Sequence, residues 1–216
     1  MVDASRRLGS HLRTISAGGG LPIPYHEEDK GNRIDMQAYY DLWDKARKNI
    51  QQSIGHEVHL EVEPGRYLVA ESGYLMAEIR AVKKQGDNLF YLLDAGFTDL
   101  VRPSFYGSYH GISIIARDGR ELNETVDAVV AGPLCESGDV FTQEEGGFVV
   151  TRKLPKAKVG DLLILHDAGA YGAAMSSNYN SRRYAAETMY TNGELKVIRE
   201  RQTFEQLLQN DRVIDL

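Results

Sequence analysis

The hydrophobic period of this chain changes at Glu63-Pro64-Gly65-Arg66, and that change divides it into two unlike parts. Up to residue 66 the pattern predicts strand, loop, helix and strand, the rhythm of an α/β layer with parallel strands. Arg13-Thr14-Ile15-Ser16 predicts a short strand running into Ala17-Gly18-Gly19-Gly20. Asp35 is placed to cap a helix, with Ile34 able to staple onto Tyr39 and Met36, Tyr39, Tyr40, Trp43, Ile50 and Ile54 at helical spacing. Gly55 suits the position that ends it, and Val58 to Val62 alternates as a strand.

From residue 67 the period is two, in short runs broken by Gly, Asp and Asn. Strands are expected from Tyr74 to Val82, Leu89 to Asp94, Ile112 to Ala116, Thr125 to Ala131, Asp161 to Leu165, Glu187 to Tyr190 and Leu195 to Ile198. Asn192-Gly193 predicts a hairpin turn, and Thr203 followed by Phe204, Leu207 and Leu208 predicts a capped closing helix. The expected fold class is α/β plus all-β, with domains at 1–66 and 67–216. Two strands and one helix cannot hide both faces of a parallel sheet. The first part is therefore expected to belong to a larger α/β body that begins before this chain.

With 216 residues, 42% of them hydrophobic and 26% charged, the chain can build a substantial core and falls outside the disordered and membrane classes. No apolar run reaches the length of a bilayer, and no apolar stretch of a signal peptide follows the opening residues, so a cytoplasmic location is expected. A net charge of −6 with scattered basic residues argues against nucleic acid as a partner. The single cysteine, Cys135, excludes an intrachain disulfide and a thiolate metal cage, and no metal site is expected.

Several segments can carry chemistry. Gly18-Gly19-Gly20 offers successive amides with no side chains in the way, which suits a phosphate and equally suits a flexible turn. Glu63-Pro64-Gly65-Arg66 follows a strand of the same α/β part, so it should emerge at the edge where the glycines emerge. A carboxylate there could bond a protonated ring nitrogen, and Arg66 could fork onto a phosphate or carboxylate; a local turn with an exposed ion pair is the plainer alternative. Arg102 and Tyr106 sit in a loop punctuated by Pro103 and Gly107, where recognition residues are common but solvated arginines are commoner. Cys135-Glu136-Ser137-Gly138-Asp139 sets the only thiol beside two acids; the competing expectation is a small buried cysteine. Tyr171 stands among small residues, Ala168 to Ala174, that permit close packing against a flat ligand or a neighbouring backbone.

Taken in order, Ala17-Gly18-Gly19-Gly20-Leu21, Glu63-Pro64-Gly65-Arg66, Asp94-Ala95-Gly96-Phe97, Arg102-Pro103 with Tyr106, Cys135-Glu136-Ser137-Gly138-Asp139 and Gly169-Ala170-Tyr171-Gly172 resemble the diaminopimelate decarboxylases over essentially the whole chain. The resemblance implies the last part of a β/α (TIM-type) barrel that binds pyridoxal 5'-phosphate, followed by a Greek-key-like β barrel domain. It implies decarboxylation of meso-2,6-diaminopimelate to L-lysine, a small amino-acid substrate, in a homodimer. Gly18, Gly19 and Gly20 would cradle the cofactor phosphate, Gly65 would line the cofactor, and Glu63 would hold the pyridine nitrogen protonated. Arg66 would serve phosphate or substrate, Arg102 and Tyr106 the distal carboxylate, Glu136 a substrate ammonium, and Tyr171 both cofactor and substrate. Cys135 would be the acid that returns a proton to the substrate carbon.

Relatives acting on ornithine or arginine carry aspartate after the cysteine, so Glu136 fits the diaminopimelate branch. The lysine that links to the cofactor and the histidine that stacks on it belong to earlier barrel strands. Ala81-Val82-Lys83-Lys84-Gln85 imitates the lysine motif but lies in the β domain, so Lys83 is expected to be a decoy. The chain is therefore expected to be incomplete by itself. The alternative is a non-catalytic piece that pairs with a full-length decarboxylase subunit through the dimer surface.

Overall fold

A pair of parallel three-residue strands sets the geometry of the first part of the chain. The structure is a computed structural model that describes residues 2–8, 11–212 and 214. It divides into two compact units, Met1–Glu71 and Ser72–Leu216.

The first unit runs α1 (Val2–Leu8), β1 (Thr14–Ser16), α2 (Met36–Ile54), β2 (His59–Glu61) and α3 (Gly65–Val69). Strand β1 pairs with β2 in register Thr14↔His59 to Ser16↔Glu61. Asp35 caps α2 by accepting from the amides of Gln37 at 2.9 Å and Ala38 at 3.0 Å. Gly55, at φ 79°, closes the helix in the left-handed conformation. From α2, Arg47 bonds Asp44 on its own helix and reaches the Val58 carbonyl at 3.4 Å, tying the helix to the approach of β2. Ile15, Leu21, Ile23, Val58 and Ala70 are buried, whereas Met36, Tyr40 and Leu42 of α2 are exposed. The first strand after the change of period begins at Leu75, one residue from the expected Tyr74, and residues 65–72 before it form helical turns. The backbone after Pro64 turns back on itself, Leu68 N–H bonding the Pro64 carbonyl at 3.1 Å, and forms α3.

The second unit begins with β3 (Leu75–Gln85), β4 (Asn88–Leu93), α4 (Arg102–Tyr106), β5 (Ile112–Ile115) and β6 (Thr125–Ala131). It continues through β7 (Gln143–Glu144), β8 (Phe148–Val149), β9 (Arg152–Pro155) and β10 (Leu162–Leu165), and ends with β11 (Glu187–Thr191), β12 (Glu194–Arg199) and α5 (Phe204–Leu208). Six strands form one sheet in the order β5-β10-β3-β4-β6-β9. Only β4 and β6 run parallel; the other neighbours are antiparallel. The edge strands β5 and β9 approach each other, so the sheet curls into a nearly closed barrel.

Side chains alternate across a strand, and Ile79, Tyr91, Leu93, Val130, Leu163 and Leu165 of the strands form the core together with Leu100 and Phe141 from the connections. The opposite face of β6 is also covered, where Val129 and Ala131 pack with Val140, Phe90 and Leu92. That is why Ala128 to Ala131 reads as a continuous apolar run. Thr203 caps α5 with a full capping box to Gln206, as its spacing predicts.

Arg102–Tyr106 is a helical turn rather than a loop: Pro103 occupies its first turn, where a missing N–H costs nothing, and Gly107 ends it at φ 62°. Strands β7, β8 and β9 were not expected, because they are short and carry Gln143, Glu144, Arg152 and Lys153 in place of an alternating apolar pattern.

Candidate functional site

In the first unit the glycine loop and the Glu63 turn lie together because β1 and β2 are parallel and end at the same edge. Ladder bonds continue past the strands: Ala17 N–H donates to the Glu61 carbonyl at 2.8 Å, and Glu63 N–H to the Gly18 carbonyl at 2.9 Å. Ser16 links the two loops by its hydroxyl, which donates to Glu63 Oε1 at 2.7 Å and accepts from Gly18 N–H at 2.9 Å.

Gly18 and Gly20 have φ of 67° and 86°, a conformation that side chains disfavour. A Cβ on either would meet nothing within 4 Å, whereas a Cβ on Gly19 would stand 2.9 Å from the Glu63 carbonyl oxygen. The loop thus leaves open space beside side-chain-free backbone next to the Glu63 turn, room that a phosphate group could take. Gly65 opens α3, and the Arg66 guanidinium lies 5.9 Å from the Tyr25 ring centroid. A separate cavity of about 200 Å³ is walled by Pro22, Ile23, Asn32, Arg33 and Tyr67. None of the glycines or Glu63 lines it, and Arg33 is engaged there by both oxygens of Glu71.

In the second unit Arg102 is only 6% exposed, unlike a solvated loop arginine. Its guanidinium lies 3.1 Å from His110 Nε2 and 5.4 Å from the centroid of Tyr171. Tyr171 itself takes the left-handed conformation at φ 62°, uncommon for a tyrosine, and is 39% exposed. His110 is fully buried, and burial pushes its imidazole down to about 4, so it stays neutral. Tyr106 is exposed and touches Phe105 edge-on at 4.9 Å. Arg152 stacks on Tyr109 with its guanidinium 4.0 Å from the ring centroid and donates to the His110 carbonyl. His110, Arg152 and Tyr109 carried no motif and were not among the expected residues. They converge because β5 pairs with β10 and β9 lies beside β5.

Cys135 is exposed, which removes the reading of a small buried cysteine. Beside it the Glu136 carboxylate is held by the Gly138 amide at 3.3 Å and the Ser137 hydroxyl at 3.2 Å, and these bonds keep its pKa below the usual range. The Tyr179 hydroxyl is 3.5 Å from its other oxygen. A thiol and an ionised carboxylate therefore share one exposed loop, a pair able to deliver a proton and bind an ammonium group. Lys83 lies exposed on β3, opposite Phe90 of β4. Among the described residues no group of three or more His, Cys, Asp or Glu is placed to hold a metal ion.

Two family models match this chain: the pyridoxal binding domain of pyridoxal-dependent decarboxylases over residues 1–70, and their C-terminal sheet domain over residues 39–169. The diaminopimelate decarboxylase of Escherichia coli strain K12 is 56% identical over 210 residues, 96% of this chain and 50% of that protein. A crystal structure of diaminopimelate decarboxylase superposes with a TM-score of 0.90 at 56% identity, covering 97% of this chain and 50% of that one. The diaminopimelate decarboxylase of Helicobacter pylori, solved in complex with L-lysine, gives 0.76 at 33% identity, covering 96% of this chain and 46% of that one. The chain spans about half the length of the curated relatives it matches.

Proposed function

Because the chain belongs to the family of pyridoxal-dependent decarboxylases, we propose that it contributes to the decarboxylation of meso-2,6-diaminopimelate to L-lysine and carbon dioxide. The cofactor of the family is pyridoxal 5'-phosphate, which when bound supplies an electron sink for the pair left as carbon dioxide departs. The observation that carries the proposal is the parallel β1–β2 pair, which bonds Gly18 to Glu63 and sets Gly19 against its carbonyl. In this reading the glycine amides bind the phosphate, Gly65 leaves room beside it, and Glu63 keeps the ring nitrogen protonated. Arg66 binds phosphate or the substrate carboxylate.

The second unit supplies the substrate contacts. Arg102, buried against His110 and Tyr171, grips the distal carboxylate with Tyr106, since a carboxylate leaving water needs a cation or several donors. Glu136 binds a substrate ammonium, Tyr171 contacts cofactor and substrate, and the Cys135 thiol returns a proton to the substrate carbon. The lysine that would link to the cofactor has no match in this chain's motif series, and we propose that another segment or chain supplies it. Pairing with a second copy or with a full-length subunit belongs to the same reading, supported by the exposure of Cys135 and Glu136. A cytoplasmic location fits it as well; among the described residues no helix is long and apolar enough to cross a membrane.

The test is complementation. The chain is mixed with the N-terminal half of the Escherichia coli relative and labelled carbon dioxide is collected from meso-2,6-diaminopimelate. Release that requires both pieces supports the proposal; none at any ratio, with both pieces folded, overturns it.

A further inference from the structure

Asp139 is 3% exposed, and its carboxylate lies between two stretches of backbone that the sequence separates by some forty residues. Oδ1 accepts from the Phe97 amide at 2.7 Å, and Oδ2 from the Leu134 amide at 2.8 Å. The Asp139 backbone closes the loop on itself, its carbonyl accepting from Gly132 N–H at 2.9 Å and its N–H donating to the Glu136 carbonyl at 3.1 Å. Glycines form the walls of the slot. A Cβ on Gly96 would stand 2.9 Å from both carboxylate oxygens, and one on Gly132 would collide with Oδ2. Beyond the slot, the Phe97 ring packs on Tyr179 with centroids 5.2 Å apart, and the Tyr179 hydroxyl reaches Glu136.

We propose that Asp139 is the positioning residue of the Cys135–Glu136 loop, its carboxylate clamping the Leu134 amide to the Phe97 amide and so setting where the thiol and the Glu136 carboxylate stand. The catalytic part of this rests on the reading of Cys135 and Glu136 given above; the clamp itself does not. A carboxylate is required because both partners are N–H donors. Asparagine offers one acceptor and one donor, so it must leave one amide unmatched. Glutamate adds a methylene to a slot already lined by glycines.

The chain has a single cysteine, so a nitroxide spin label attached through a disulfide reports on Cys135 alone. The full chain and its Asp139→Asn variant are labelled, and spectra are recorded below the unfolding transition of each. The clamp predicts a slow, ordered spectrum for the parent chain and a several-fold shorter correlation time in the variant. Asp161→Asn serves as control: it alters a buried carboxylate elsewhere in the unit and should lower stability while leaving the label spectrum unchanged. Superimposable spectra for the parent chain and Asp139→Asn overturn the clamp. If Asp139→Asn does not fold, Gly96→Ala crowds the carboxylate without removing it, and an unchanged ordered spectrum there overturns the proposal equally. In the complemented enzyme Asp139→Asn should lower kcat about tenfold or more. A freed label with kcat unchanged would support the clamp and remove the catalytic roles of Cys135 and Glu136.

Discussion

Arg102 donates a hydrogen bond from its guanidinium to Nε2 of His110, 3.1 Å away, where both side chains are almost fully buried. The tautomer follows. His110 Nδ1 lies 2.8 Å from the His166 carbonyl, which can only accept, so Nδ1 carries the proton and Nε2 is left to accept from an arginine that can only donate. A neutral imidazole thus orients a buried cation.

His110 should not titrate near neutrality. With its pKa lowered to about 4, mainly by burial, the unfolded chain binds the proton first as pH falls. Its contribution to stability is complete above about pH 6.5 and declines as pH falls toward 4, by roughly 3 kcal/mol. Nitrogen NMR of the imidazole should show a fixed Nδ1–H form from about pH 6 to 8. A titration near 6.5 would contradict the assignment.

Tyr91 is fully buried, and its hydroxyl serves two backbone groups, donating to the Pro155 carbonyl at 3.1 Å and accepting from Ala157 N–H at 3.0 Å. Tyr91→Phe keeps the ring and strands both groups. It should destabilise the second unit by about 1–3 kcal/mol, read from urea unfolding.

Asp161 is fully buried and accepts from Lys158 N–H at 2.8 Å, Arg117 N–H at 3.3 Å and both terminal nitrogens of Arg120. The Arg120 bonds hold its pKa below the ordinary carboxylate range, so the stability it confers is present above about pH 4 and is lost as pH falls further. Asp139 and Asp99 are raised by burial and act with the opposite sign, losing their contribution as pH rises. Asp161→Asn should therefore cost about 3 kcal/mol at neutral pH and flatten the fall of stability in acid, measured by urea unfolding at several pH values.

Gly19→Ala should disturb the first unit more than open space would suggest, because the new methyl meets the Glu63 carbonyl at 2.9 Å. A cost of about 1–3 kcal/mol and weakened retention of pyridoxal phosphate in the complemented enzyme are expected. Gly20→Ala meets no atom within 4 Å, and its penalty of about 1–2 kcal/mol comes from φ alone. Thermal unfolding and cofactor absorbance after gel filtration check both.

Much of this was legible in the sequence where the signal is local. Asp35, Gly55 and Thr203 marked helix ends correctly because caps act within a few residues. The meeting of the glycine loop with Glu63 was legible too, since parallel strands deliver their following loops to one edge. Helix α4 was missed because Pro103 and Gly107 look like loop punctuation, although proline in a first turn and glycine after a last turn also bracket a helix. The His110, Arg152 and Tyr109 cluster could not be read from spacing, since non-local pairing of β5, β9 and β10 assembles it. Asp139 was visible as the last residue of a motif; its role depends on Phe97, brought near only by folding.

The most direct test of the proposed function joins this chain to the N-terminal half of the Escherichia coli relative as one polypeptide and compares kcat/KM for meso-2,6-diaminopimelate with that for D-lysine. D-lysine keeps the reacting carboxylate and lacks the distal one. A distal carboxylate gripped by Arg102 and Tyr106 predicts preference for the diacid by roughly 10⁴-fold, because the analogue leaves the buried Arg102 guanidinium without its anionic partner. Comparable rates on the two substrates, or no decarboxylation of the diacid by a folded, cofactor-loaded chimera, would contradict it.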